Sequence, residues 1–188
     1  MLGKIRHAAA FARGCGKKIC FLFSGRRFTA GKRLRLYRDV LITADRTGRI
    51  TAGDEVSVRE RALISAVKGG NISIGDGCGI GLDCKIVSHE KIDIGKNTIL
   101  APGVLIYDHD HKYGIYGVKK HEFVNSPIKI GENCWIGAYS VILRGSSIGD
   151  NCVIAAHSVV KGNVPDGSVY IQKRETVLIK KSDAEENT

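Results

Sequence analysis

Aliphatic residues recur along this chain at a step of six. They stand at Ile74, Ile80, Ile86 and Ile92. After a two-residue phase shift they continue at Ile94, Leu100 and Ile106, and later at Ile130, Ile136, Ile142, Ile148, Ile154 and Val160. Glycine follows the aliphatic at 74, 80, 94, 130, 136 and 148. Four residues after the aliphatic comes a second series: Cys78, Cys84, Thr98, Val104, Cys134, Ser140, Ser146, Cys152, Ser158 and Val164. A looser aliphatic series, Leu34, Val40, Ile50, Val56 and Ala62, precedes it. A period of six is not helical, but it is a multiple of the strand period of two. It suits a short strand and a tight turn, repeated. Three such units close one coil of a parallel β-helix, and stacked coils bury a ladder of aliphatic side chains that no single coil could bury. The pattern predicts an all-β solenoid, in which these Ile and Gly residues are structural.

The rhythm breaks once. Ile-x-Ile pairs at Ile72/Ile74 and Ile92/Ile94 mark one corner of successive coils, 20 residues apart. The next pair is due near residue 112 and arrives at Ile128/Ile130, so 16 residues are inserted there. The insert lies within YDHDHKYGIYGVKKHEFVNS, residues 107–126. A loop of that length leaving a regular scaffold points to function. It holds His109 and His111, which strand alternation can place on one face. Imidazole, with an ordinary pKa of ~6.5, suits a general base. Asp108 and Asp110 can fix a tautomer or serve as turn residues. His89 at a corner, His121 in the loop, His157 in a repeat slot and His7 are weaker candidates.

Charge adds a second feature. The net charge is +10 over 188 residues. Residues 1–40 contain eleven basic residues against Asp39 alone, so the remainder is balanced. A concentrated positive segment favours an anionic partner such as a phospholipid surface, a polyphosphate carrier or nucleic acid, the alternative being a solvated basic helix. Of these, no nucleic-acid partner is expected. No apolar run approaches the ~20 residues of a membrane span. ICFLF (19–23) and AAAFA (8–12) do not read as a signal peptide. The expected location is the cytoplasm, with contact at the inner membrane face. Cys78, Cys84, Cys134 and Cys152 share the small-residue slot and read as packing residues. Cys15 and Cys20, spaced C-x4-C, make a weak zinc motif. The glycines of GDGCGIG (75–81) lie on the repeat with no helix after them, so they are not a dinucleotide loop. There is no G-x-S-x-G to support an acyl-enzyme.

Over residues 70–165 the chain resembles the hexapeptide-repeat acyltransferases, with PIKIGENCWIGAYSVILRGSSIGDNCVIAAHSVVKGNVP (127–165) the most similar stretch. The sugar O-acetyltransferases of the maltose and galactoside type, and those of surface-polysaccharide clusters, are the nearest in pattern. The resemblance implies a left-handed parallel β-helix, a homotrimer with active sites at subunit interfaces, and acetyl-CoA as co-substrate with no metal. Counting from Ile106, it implies His111 as the catalytic base. His109 could orient that base or bind acceptor, Asp83 aligns with an Asn that contacts acceptor in the sugar group, and Tyr107 is a further expected acceptor contact. It implies Trp135, Gly137 and Ala155 at the coenzyme site, and Lys161, Lys173 and Arg174 stand where they could meet coenzyme A phosphates. The expected organisation is a basic segment at 1–33, with helix left open, a β-helix domain at 34–171 with the loop 107–126, and a C-terminal extension with an acidic tail at 172–188.

The chain departs from the family pattern at Asp83, where sugar acetyltransferases carry Asn, and at Ser88/His89, where they carry an acid. KGN (161–163) and QKRET (172–176) also differ. These changes bear on the acceptor. The expected function is acetylation of a sugar hydroxyl in a polysaccharide or glycan precursor. Serine, an aminosugar and an antibiotic are alternative acceptors. A zinc lyase using His109, His111 and His121, or a non-catalytic scaffold, are the alternatives of another class.

Overall fold

The computed structural model describes residues 27–173, together with Ala12 and Arg13. From Arg27 onward the chain winds as a parallel β-solenoid with three faces, consistent with a left-handed parallel β-helix of hexapeptide repeats. The first face stacks Arg27–Ala30, Arg49–Ala52, Asn71–Ile74, Lys91–Ile94, Ile128–Ile130, Ser147–Ile148 and Asn163–Val164. The second is also seven-stranded and runs from Arg35–Leu36 to Val169–Tyr170. The third has six strands, from Leu41–Ala44 to Val159–Val160, and includes Lys85–Ser88 and Leu105–Tyr107. The ladder thus begins ahead of residue 34, and Phe28 already lies in the core.

Side chains alternate in and out on every strand, and the inward column is a single aliphatic core. Ile50, Ile72, Ile92 and Ile128 stand in register on the first face, and Ile64, Ile86, Ile106 and Ile142 on the third. All eight are no more than 1% exposed, so every coil contributes full burial at each strand. The second series fills the corners. Cys78, Cys84, Cys134 and Cys152 are buried there as free thiols, and burial pushes the Cys78 and Cys84 thiols up to about 11. They are packing residues. Cys15 and Cys20 lie outside the described residues.

The early coils correct one detail of the phase. Leu34, Val40, Val56 and Ala62 do not hold the strand position. The pairings Ser57↔Gly79 and Leu63↔Lys85 align Val56 and Ala62 with Cys78 and Cys84, so these residues fill corners. Leu36, Ile42, Val58 and Ile64 are the strand aliphatics. Both series are apolar in the early coils, so composition does not distinguish strand from corner there.

Corners use the left-handed backbone region in register. Asp39, Arg61, Asp83, Tyr139 and His157 have φ between 55° and 59° at the corner joining the second and third faces, and Gly103 is at 72°. Glycine is required at 103, because a Cβ there would lie 2.4 Å from the Tyr139 ring.

Candidate active site

The corner joining the third face to the first is where the chain leaves the solenoid. His109–Gly114 and Gly117–Asn125 form an antiparallel hairpin, with His109 opposite Asn125 and His111 opposite Phe123. Ser126 N–H donates to the Asp108 carbonyl at 2.9 Å and closes its base.

Asp108 holds this base. Its carboxylate is fully buried at the end of the third-face stack, next to Ser88. It accepts hydrogen bonds from Ser88 Oγ at 2.6 Å, His89 N–H at 2.8 Å and Glu90 N–H at 2.9 Å, and lies 3.1 Å from His109 Nδ1. Burial alone would raise its pKa. The bonds from His109, His89, Ser88 and Glu90 outweigh that, and the pKa lies below the ordinary carboxylate value. An ionised carboxylate only accepts, so His109 carries its proton on Nδ1.

His89, one coil below, stacks on His109 with ring centroids 3.5 Å apart and planes 5° from parallel. It is 9% exposed, and its Nδ1 is buried with no hydrogen-bond partner. Burial, then the neighbouring His109 and Lys68, press its pKa down to about 4, so it is neutral at pH 7. Phe123 covers the group from the returning strand, with its centroid 4.6 Å from His89, 5.7 Å from His109 and 4.5 Å from His111. Lys68 Nζ sits 3.7 Å from the centre of the Phe123 ring. His109 and His111 share the Phe123 side of the hairpin, as alternation requires. Asp110 between them accepts from Arg144 Nε at 2.6 Å.

Three expected site residues therefore meet here. Tyr107 ends its third-face strand, half-buried, with its ring edge-on to His109 at 5.9 Å. Its phenol pKa is raised by burial. His109 is nearly covered, and His111 is exposed on the hairpin.

The other expected site residues lie elsewhere on the same chain. Asp83 is at the corner between the second and third faces, paired with Arg61 through contacts of 2.8 and 2.6 Å. Trp135 is 54% exposed on the second face, in register with Ile99 and Val153. Gly137 and Ala155 lie at the second–third corner of consecutive coils. A Cβ on Gly137 would lie 2.5 Å from Ala156 N, so close coil stacking accounts for that glycine. Ala155 N–H donates to the Tyr170 carbonyl at 2.9 Å. Lys161 is the exception: it is exposed at the corner between the third and first faces, on the column of Tyr107 and Leu143 two coils beyond Tyr107. Lys173 is exposed, and Arg174 lies outside the described residues. The second face is opposite the histidine corner, so one chain does not join the two groups. Hollows of about 430 and 300 Å³ around Lys129 and Asp150 are on the first face, away from the histidines. Among the described residues no group of three His, Cys, Asp or Glu could hold a metal ion.

Lys68, Phe123 and Arg144 were not among the expected site residues, and His89 was only a weaker candidate. The signal for His89 was present. Third-face strands pair at a 20-residue offset, Ile86 with Ile106 and Val87 with Tyr107. The same offset carries Ser88 to Asp108 and His89 to His109. Phe123 and Arg144 reach the site only through the hairpin's return and the next coil, which no local pattern encodes.

A triangular β-solenoid interrupted by one histidine-bearing hairpin defines the class. Family models place it further. The hexapeptide repeat of succinyl-transferase matches residues 71–108, and the bacterial transferase hexapeptide (six repeats) matches residues 127–162. The two matched blocks flank the hairpin, which fills the gap between them. A probable acetyltransferase of Mycobacterium tuberculosis is 30% identical over 94 residues, 49% of this chain and 31% of that protein. Nodulation protein L of Rhizobium meliloti is 42% identical over 89 residues, 47% of this chain and 49% of that protein. The match thus spans less than half of either relative. The fold is shared with AntD, an N-acyltransferase from Bacillus cereus in complex with dTDP and 3-hydroxybutyryl-CoA. The TM-score is 0.68 at 19% identity, over 92% of this chain and 91% of that one. It is shared also with the polySia-specific acetyltransferase NeuO, with a TM-score of 0.52 at 20% identity over 85% and 92% of the chains.

Proposed function

We propose that this protein is an acetyl-CoA-dependent O-acetyltransferase that acts on a sugar hydroxyl of a polysaccharide or glycan precursor. The observation that carries the reading is the break in the solenoid. At one corner a rigid aliphatic scaffold gives way to a hairpin that presents an exposed imidazole, His111, above a packed base of Asp108, His109 and His89. A sugar hydroxyl is a weak nucleophile at neutral pH and needs a base, whereas an amine acceptor needs one less. His111 takes the hydroxyl proton as the oxygen attacks the thioester carbonyl. The C–O bond forms, the C–S bond breaks, and the departing thiolate receives the proton from the imidazolium. A coenzyme A substrate is supported by the AntD complexes, and a sugar acceptor by the names of AntD's bound dTDP-4-amino-4,6-dideoxyglucose and of NeuO.

Apolar side chains form outward ladders on two faces. Ile99, Trp135, Val153 and Val169 line the second, and Leu41, Leu63, Leu105, Val141 and Val159 line the third, with Lys85 between. These ladders, and the distance between the Trp135 face and the histidine corner, support a homotrimer whose sites lie between subunits. Trp135 of one copy would then face coenzyme A near His111 and Lys161 of the next. The protein is assigned to the cytoplasm, with the basic N-terminal segment directed to anionic lipid.

A second reading has its own observation. His109, not His111, has the buried carboxylate on Nδ1 that orients a general base. Thiol release from acetyl-CoA, measured with a panel of sugars and aminosugars, separates the two. With His111→Ala, acceptor-dependent release should fall by about 10²–10⁴-fold while acetyl-CoA still binds. A loss of that size confined to His109→Ala moves the role to His109. Absence of both binding and release in the wild type defeats the transferase reading.

A further inference from the structure

Large apolar side chains stand out of the hairpin at the end furthest from the solenoid. Ile115 and Tyr116 are 91% and 98% exposed, Tyr113 is 83% and Val118 is 64%. Ile115 and Tyr116 are the two central residues of the turn between paired Gly114 and Gly117, and Tyr113 pairs with Val118 just behind. Two-residue hairpin turns favour Asn-Gly or similar dipeptides. Ile-Tyr meets no such demand, and the flanking Gly117, at φ 100°, already supplies left-handed freedom. Four large side chains gathered in water mark a contact surface. Behind them comes a cationic collar of Lys112, Lys119 and Lys120, with Glu122 offsetting one charge through contacts to Lys112 at 3.5 Å and Lys119 at 3.2 Å.

We propose that this hairpin tip docks on an anionic phospholipid surface. Aliphatic Ile115 and Val118 suit the acyl boundary, Tyr113 and Tyr116 the headgroup level, and the lysines the lipid phosphates. Charge selects lipid over a second copy of the chain. A second copy offers the collar no net negative charge, because the chain carries +10 overall and residues 41–188 are balanced. The N-terminal forty residues carry the same sign as the collar and favour the same kind of partner. The docking does not rest on the acyl-transfer reading, but one consequence does. His111 is four residues from Ile115, about 13 Å at ~3.3 Å per residue, which places the base at headgroup height. An acceptor sugar carried on a lipid would reach the base without leaving the membrane.

The test places a reporter at the tip. Tyr116→Trp in the full chain is titrated with phosphatidylglycerol-containing vesicles, with the wild type giving the Trp135 background. Blue-shifted emission that brominated acyl chains quench is expected, and pure phosphatidylcholine should give neither. Ile115→Asp should weaken vesicle affinity at least about tenfold and leave thiol release with a soluble acceptor unchanged. Sedimentation with vesicles without a shift at position 116 would leave the N-terminal segment as the contact and overturn the proposal. A shift that needs no vesicles and grows with protein concentration would give the tip to a second copy and overturn it equally.

Discussion

The same inward position of the solenoid is built in two ways. On the first face the stack reads Ile50, Ile72, Ile92, Ile128, and each rung is held by apolar area and nothing directional. At the end of the third-face strands the stack reads Ala44, Ala66, Ser88, and one coil further comes Asp108. The first kind of rung tolerates any side chain of suitable volume and aims nothing. The second is stable only because every oxygen of the buried carboxylate has donors, and those donors set the direction of the hairpin and of His109. The scaffold gains rigidity from the first kind and a defined side-chain orientation from the second.

The comparison predicts a graded set of outcomes. Asp108→Ala leaves the buried His89 N–H and the part-buried Glu90 N–H without their acceptor, leaves Ser88 Oγ only the Asn71 carbonyl, and should cost about 3–5 kcal/mol in urea denaturation. Ile106→Ala, two residues earlier, should cost about 2–5 kcal/mol through its cavity, with acetyl transfer retained in the folded fraction. If Asp108→Ala costs less than 1 kcal/mol, the polar rung is not what holds the corner.

Protonation separates the regions more gently. The His89 pKa is depressed to about 4 in the folded protein, against ~6.5 unfolded. Its contribution is fully present above pH 6.5 and is lost as pH falls toward 4, because the unfolded chain binds the proton more readily. Stability should drop by roughly 1–3 kcal/mol between pH 7 and 4.5, and His89→Phe should flatten that drop. Asp108, whose pKa is also lowered, loses its contribution only as pH falls through a value below the ordinary carboxylate range. Stability independent of pH between 7 and 5 in the wild type would contradict the packed His89.

The smallest effect should come from Arg144→Ala. Its contact to Asp110 joins a 26% exposed side chain to a 51% exposed one, so less than about 1 kcal/mol of stability depends on it. A larger loss in thermal denaturation would mean that this pair, rather than Asp108 and Phe123, fastens the hairpin.

The solenoid was legible because its physics is local and repeated. A step of six with glycine and small residues in phase leaves one economical way to bury the aliphatics. The place of the hairpin was legible as a missing beat. Histidine at 109 and 111 was visible there too, and alternation correctly put both on one face. The phase of the first coils misled, since Leu34 and Val56 are apolar in a slot that later coils fill with Cys or Ser. Asp108 read equally well as turn chemistry, because nothing adjacent to it announces burial.

The amino-acid pattern thus determined the period, the three-faced core, the interrupted corner and the chemical types available there, since each follows from short-range alternation and spacing. Only the tertiary structure decided which of those residues meet. Coil stacking placed His89 under His109 and Ser88 against Asp108, and the hairpin's return brought Phe123 over both rings. It also left Asp83 and Trp135 at other edges of the prism. Contacts between coils depend on the exact length of each turn of the chain, which varies from 22 residues early to 16 late. A site assembled across coils is therefore written in the sum of those lengths and in no single motif.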